Sequence, residues 1–451
     1  MSMSTIRALP QHGKIACQQQ ERIFSLRFCL LWLCLAAQVS SVPFTAVGGI
    51  SWAVWPTVFD VCWLVLVLSY VPKLRMPQQG WTSEVLYGDV ALLVYFVCAT
   101  LVGYARHESL MGILYAGYIL ARMFQAVTLW YIASQITLSK KQFGYLIVAL
   151  ILPGVLNAII ANLQGVGLLG FRPFVSHLPA TVAAGPWAAR VLAEESFSLG
   201  ILGYNRIYVG VQLVIHSIVV LALMRKSFLA YFLLAVNLSA VLWTGSRTAL
   251  LFLAVATLIV IIINRQRAVL VILGFIAAVA IGSTSDLAWQ MRRGLLMGGE
   301  TLAESTAGRF EVQSIGFRVF SESILNSVIG CGPGHLGLYN DTMGFYQAHS
   351  QYIQVLSEYG VVGLLLWTVW YWKRISVLTR RSYFYTPALA VFVGLATAAA
   401  FNDFLLPNPA FGSLVSFLFI LLGLGCNSSV SQEALLRCRQ GATQLVMGRV
   451  T

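Results

Sequence analysis

The chain has 451 residues, of which 58% are hydrophobic and only 10% charged, and its formal net charge is +13. A soluble domain carries about 25% charged residues, so this composition excludes an ordinary water-soluble fold, whose surface needs more polar side chains than are available here. The basic residues gather in the connections between apolar runs and form no stripe interleaved with exposed aromatics, which argues against nucleic acid as a partner.

A helix needs about 20 apolar residues to cross the hydrocarbon core of a bilayer. Such runs recur, in chain order, near 24–43, 51–71, 85–104, 109–134, 143–165, 204–223, 227–245, 248–263, 268–285, 352–372, 385–403 and 410–427. Backbone groups in lipid must be satisfied within the element, and the period-two alternation of a barrel strand is absent. The expectation is an all-α polytopic membrane protein of about twelve transmembrane helices. Residues 1–23 and 428–451 form tails. The first run is long and Ser40-Ser41-Val42-Pro43 is a poor cleavage site, so it reads as a retained anchor. Most of the 29 Lys and Arg residues fall in the tails and in the loops that lie on the same side as the tails. By the positive-inside rule both termini are therefore cytoplasmic. Helices 1–9 occupy 24–285, with an outer loop at 166–203. The largest outer loop is 286–351, and helices 10–12 occupy 352–427. Within that large loop the apolar residues Phe310, Ile315, Val319, Ile324 and Val328 recur at near-helical spacing, which predicts an amphipathic helix over 310–328 lying on the membrane face. It ends at Gly330-Cys331-Gly332-Pro333-Gly334, which cannot continue a helix.

The informative polar residues lie on the outer side. Arg247 follows Thr244-Gly245-Ser246 at the sharp turn between two spans. The bland reading is a snorkelling or capping cation. Arg309 directly precedes the expected amphipathic helix, where the dipole disfavours a cation, so an anion such as Glu311, a bound phosphate or a lipid should compensate it. His349 leads into the tenth span. A helix beginning there puts His349, Tyr352 and Leu356 on one face, holds the imidazole toward its neutral form, and leaves Gly360 and Gly363 to admit a neighbouring helix. An interfacial histidine with no chemical task is the bland alternative. Guanidinium groups suit a diphosphate, and a neutral histidine suits removal of a proton from an attacking hydroxyl. Together they read as group transfer from a lipid diphosphate, although an anion transporter explains the arginines equally well.

Three motifs then resemble the O-antigen ligase and Wzy-type polymerase superfamily of bacterial membrane glycosyltransferases. They are Thr244-Gly245-Ser246-Arg247-Thr248-Ala249; Gly308-Arg309-Phe310 followed by the glycine turn; and His349-Ser350, nine residues, Gly360, two residues, Gly363. The resemblance covers roughly residues 225–425. It implies a GT-C-like fold and an undecaprenyl-diphosphate-linked glycan donor. It also implies a saccharide or lipid-glycan acceptor, membrane lipid as surroundings, and an inverting displacement without a metal or other cofactor. By the same resemblance Arg247 and Arg309 hold the diphosphate, His349 is the catalytic residue, and Gly330, Gly332, Gly334, Gly360 and Gly363 are structural. Arg206, Arg318 and Tyr352 are accessory candidates. Where many members carry an arginine and a Pro-Asn turn, this chain has Leu199-Gly200-Ile201-Leu202-Gly203-Tyr204-Asn205-Arg206, which bears on the acceptor side.

The alternative from another class is a polytopic exporter of lipid-linked glycan or another anionic solute. An exporter should show internal repeats and polar groups on discontinuous helices near the midplane. No repeat is apparent, and the polar cluster is at the outer face, with Asp60 and Arg122 as the intramembrane exceptions and His216 expected to bond a neighbouring helix. The cysteines show no CxxC, and no His/Cys cluster predicts a metal site.

Overall fold

The computed structural model describes residues 26–38, 57–70, 80–136, 138, 140–170, 198–201, 206–223, 228–264, 302–336, 348–380, 382–402, 405 and 412–427. Every regular element among them is a helix: α1 (Leu26–Ala37), α2 (Val58–Tyr70), α3 (Gly80–His107), α4 (Leu110–Gln135), α5 (Lys140–Gly165), α6 (Arg206–Leu223), α7 (Phe228–Trp243), α8 (Arg247–Asn264), α9 (Leu302–Ser321), α10 (Ile324–Ile329), α11 (Gln351–Ser376), α12 (Tyr385–Ala398) and α13 (Gly412–Cys426). Six of these, α3, α4, α5, α6, α8 and α11, are long and apolar enough to cross a membrane, and five shorter apolar helices accompany them. Each corresponds to one of the expected runs. The run at 268–285 lies outside the described residues.

Two helices are wrapped by others. α6 packs on α5, α7, α8 and α12, and α13 on α4 and α12. Both are largely apolar all round, as suits an enclosed helix, and the buried Gln212 and His216 of α6 are hydrogen-bonded. α2, α3 and α7 instead turn Leu64, Leu68, Leu93, Leu101 and Phe232 outward. Helix ends gather consistently at two levels. At one, the carbonyl of Leu424 accepts from Ser382 Oγ, that of Leu223 from the Tyr383 hydroxyl, and those of Ala133 and Ile136 from Asn427 Nδ2. At the other lie the α3–α4 connection, the α7–α8 turn and the start of α11, and this is called the site end below.

Several polar groups inside the bundle are paired. Arg122 on α4 reaches both carboxylate oxygens of Asp60 on α2, and Gln125 Nε2 and Thr57 also donate to that carboxylate. His216 sits in a notch of α5, beside Pro153 within the helix, where a Cβ at Gly154 would overlap its ring. Its Nδ1 is 2.6 Å from the Leu150 carbonyl, which can only accept, so Nδ1 carries the hydrogen and Nε2 accepts from Gln38 Nε2 at 3.1 Å. The expected bond to a neighbouring helix is therefore present. Arg374, near the end of α11, is fully buried, ion-paired with Asp89 of α3 and enclosed by Trp130, Trp370 and Phe419.

Two expectations about the large loop need correction. A single helix over 310–328 is in fact two, α9 and α10, because Ser323 accepts the Asn326 N–H and starts a new helix. α9 also begins at Leu302, so Arg309 lies inside it and the dipole argument for Arg309 lapses. The inward face is Val312, Ile315, Gly316 and Val319, whereas Phe310, Ile324 and Val328 point outward. α12 likewise ends at Ala398, before Asn402.

Candidate active site at the site end of the bundle

The α7–α8 turn is a compact reversal. Gly245 takes φ +61°, the Thr244 hydroxyl donates to the Val241 carbonyl at 2.7 Å, and Ser246 Oγ accepts from the Ala249 N–H at 3.2 Å. Arg247 is thus the first residue of α8, where a cation gains nothing from the helix dipole. The turn presses on α6 at Gly210, where an added Cβ would lie 2.8 Å from Thr244 Oγ1. Arg206 is one turn earlier on the same side of α6. Asn402 Nδ2 holds Thr248 Oγ1 at 3.1 Å, which ties the start of α8 to the segment after α12.

α9 brings Arg309 to this turn. The Arg309 guanidinium is pulled below its ordinary value, first by burial and then by the charge of Arg247. The two guanidiniums therefore stand in each other's field. One turn after Arg309, on the same side of α9, Gln313 Nε2 approaches the His349 carbonyl at 3.4 Å. Gly316 lets α9 close on α11, and the Ser357 hydroxyl donates to the Gly316 carbonyl at 2.9 Å. α9 thus sets Arg309 within the field of Arg247 and Gln313 against the start of α11.

His349 does not begin the helix. α11 starts at Gln351, and His349 precedes the cap residue Ser350 with φ +48°, one of two non-glycine residues with positive φ among the described residues. Backbone held in this region costs of order 1–3 kcal/mol and collects at functional sites. The surrounding bonds enforce it: Ala348 N–H donates to Gln354 Oε1 at 2.8 Å, Gln351 N–H to the Ala399 carbonyl at 2.9 Å, and Leu405 N–H to Gln351 Oε1 at 2.5 Å. Tyr352 is committed to α12 through a 2.6 Å bond from its hydroxyl to the Ala396 carbonyl. Arg318 follows Arg309 by nine residues, two and a half turns, and so lies on the opposite side of α9.

The glycines do more than admit a helix. Gly360 breaks α11, with φ +66° and ψ −171°. At the break three carbonyls find partners outside the helix: the glycine turn supplies Cys331 N–H to Ser357 O at 2.9 Å and Gly332 N–H to Glu358 O at 3.0 Å, and α3 supplies the Tyr95 hydroxyl to Tyr359 O. Gly334 N–H donates to Glu358 Oε1 at 3.0 Å. A Cβ at Gly330 would strike the backbone at Glu358 and Tyr359, and one at Gly360 the backbone at Val328 and Ile329. Gly332 takes φ +96° and Gly334 φ +75°. Gly363 faces Tyr95, 3.1 Å from its added Cβ. His335 is lodged between Gly103 of α3 and Gly112 of α4, its Nδ1 2.9 Å from the Pro333 carbonyl, and burial favours its neutral form. Asn326 joins α10 to α3 by accepting from Arg106 Nη1 at 2.5 Å. Neither His335 nor Asn326 stands out in the sequence as a hub. Burial and Glu358 push the Cys331 thiol well up, which makes it unreactive.

Residues 229–368 match the O-antigen ligase family model. The match runs from the start of α7 into α11 and contains Arg247, Arg309, the glycine turn, His349, Gly360 and Gly363, while Arg206 falls before it. It supports the resemblance read from the motifs. With the six spanning-length helices it marks a multi-pass membrane protein with an O-antigen ligase-like segment, and it supports a role in polysaccharide biosynthesis. No curated protein matches the chain.

Proposed function

We propose that the protein transfers a glycan from undecaprenyl diphosphate to a hydroxyl of a saccharide or lipid-glycan acceptor at the outer face of the bacterial inner membrane. What supports this reading is that α9 sets Arg309 within the field of Arg247 while Gln313, one turn on, meets the His349 carbonyl. A diphosphate accepts bidentate bonds from two guanidiniums, so the pair is suited to hold one. The acceptor oxygen attacks the anomeric carbon, its proton passes to the His349 imidazole, and the bond from that carbon to the diphosphate breaks with inversion. Undecaprenyl diphosphate leaves with its charge held by the arginines, which do the work a divalent metal would otherwise do. Arg206, beside the α7–α8 turn, is placed to serve the acceptor or the outer phosphate, whereas Arg318 and Tyr352 take no direct part.

The accompanying topology is twelve spans in a GT-C-like arrangement with both termini cytoplasmic, the segments 166–203 and 286–351 outside, and the basic loops inside. The exporter reading would draw on the break in α11, but Cys331, Gly332 and Tyr95 already occupy the carbonyls there. The test is purified protein in proteoliposomes with a synthetic lipid-diphosphate glycan and candidate acceptors. A new glycosidic product together with released lipid diphosphate is expected, unchanged by chelator. Movement of intact donor across the membrane without product would reject transfer in favour of export.

A further inference from the structure

α9 and α10 do not simply cover the bundle, because α10 descends beside α3 and α11. A ruler for the descent is the ion pair of Lys373 on α11 with Glu84 on α3, at 3.0 Å, which fixes one level on both helices. Trp372 beside it is 66% exposed, as suits an interfacial aromatic. Thirteen residues back along α11 from Lys373 is Gly360, a rise of about 20 Å, and fifteen residues along α3 from Glu84 is Ala99, a rise of about 22 Å. Both points meet the same piece of chain, since Val328 and Ile329 lie against Gly360, and Gly332 lies against the Ala99 carbonyl. With a hydrocarbon core about 30 Å thick, the end of α10 and the glycine turn lie roughly 8–10 Å below the boundary at the site end. Helix tilt would only deepen that level.

The side chains agree with the depth. α10 turns Ile324, Leu325 and Val328 outward, at 85%, 44% and 44% exposure. Its polar residues are turned inward or satisfied: Asn326 is buried, and the Ser327 hydroxyl donates to the carbonyls of Phe320 and Ser323. Val361 and Val362, next to the Gly360 contact, continue the exposed apolar surface on α11. α9 differs, since its exposed side carries Glu311, Ser314, Arg318 and Ser321 alongside Phe310 and Phe317. A helix facing water has no need of an outer side without polar groups, whereas one in hydrocarbon does.

We infer that α10 is a re-entrant element immersed in the leaflet at the site end, with Ile324, Leu325 and Val328 against lipid acyl chains and α9 at the water boundary above it. This requires only that α3 and α11 span the bilayer and is independent of the transfer reaction. The test uses full-length protein in proteoliposomes, in a background without exposed native cysteines, spin-labelled singly at I324C, L325C or V328C and at S314C or R318C. Collisions with oxygen and with a water-soluble nickel chelate are compared. The α10 labels are expected to show a several-fold higher ratio of oxygen to nickel collisions than the α9 labels, unchanged on dilution with lipid. Nickel access at α10 equal to that at Ser314 would overturn the inference, as would shielding of α10 from both reagents, which would mean that protein covers this side. Ile324 keeps the test decisive if V328C folds poorly, because at 85% exposure it supports little packing.

Discussion

Replacing Gly360 by alanine should loosen the wedge that holds α9 in place. Two costs can be worked out separately. The backbone at φ +66°, ψ −171° is one that only glycine adopts freely, so alanine there costs about 1–3 kcal/mol. The new methyl would also lie 2.6 Å from Ile329 N and nearer still to the Val328 carbonyl group. Those are backbone atoms that no rotamer change can move, so α10 must shift, at about 1–3 kcal/mol for overpacking. The sum is roughly 2–6 kcal/mol, or a fall in melting temperature of at least about 2 °C on the usual scaling with chain length. The control is Gly117→Ala on α4, where a Cβ meets nothing within 4 Å and the gain in helix propensity is about 0.5–1 kcal/mol. Thermal unfolding of both purified variants in the same detergent measures the difference. Transfer by the folded fraction of G360A should also fall, because the shift of α10 carries Arg309 away from Arg247. A melting temperature for G360A equal to that of G117A would refute the interlocked-backbone account of this glycine.

R247K and R309K keep the charge but lose the two-pronged geometry, so each should lower turnover at least about tenfold, roughly 1.4 kcal/mol of transition-state stabilisation; wild-type turnover at matched protein amounts would reject the clamp. H349A should lose about 10²–10⁴-fold in transfer with donor binding retained. Substantial activity in H349Q would assign His349 to orienting the acceptor, and loss of donor binding in H349A would move it to the diphosphate side. Arg122→Leu leaves the half-buried Asp60 without its cation and should destabilise by up to about 3–5 kcal/mol, with partial recovery on adding Asp60→Asn; an unchanged melting temperature in R122L would show that the pair is not desolvated. Single cysteines at Ser305 or Tyr339 should react with an impermeant thiol reagent from outside, and those at Ser139 or Ser431 should not; the reverse pattern would invert the topology.

The helices were legible because hydropathy alone sets them, and the arginine and histidine positions because short motifs mark them. Pairings between distant segments were not. Nothing near Asp89 announces Arg374, and nothing in the apolar outline of residues 352–372 says that Gly360 ends one helical segment and starts another, since a glycine among apolar residues reads equally as a site of close approach. The break becomes visible only when Cys331, Gly332 and Tyr95 are seen on the carbonyls it releases. The outline of α9 and α10 misled for a related reason. Phe310, Ile324 and Val328 keep helical spacing, yet they face outward, and the contact with α11 is made by Gly316 and Val319, of which the glycine carries no hydropathy signal.

The seat of the Gly330–Gly334 turn also orders the assembly of the chain. Its walls are the notch at Gly103 and Gly112 on one side and the carbonyls of Ser357 and Glu358 on the other. Synthesis runs from the N-terminus, so the notch exists long before the turn, and the turn exists before the carbonyls that receive it. A nascent chain halted ahead of residue 351 therefore has the notch and the turn but lacks the carbonyls of Ser357 and Glu358. Arg309 can settle beside Arg247 only after α11 has entered the membrane, which makes completion of the late spans a condition for the site to exist at all.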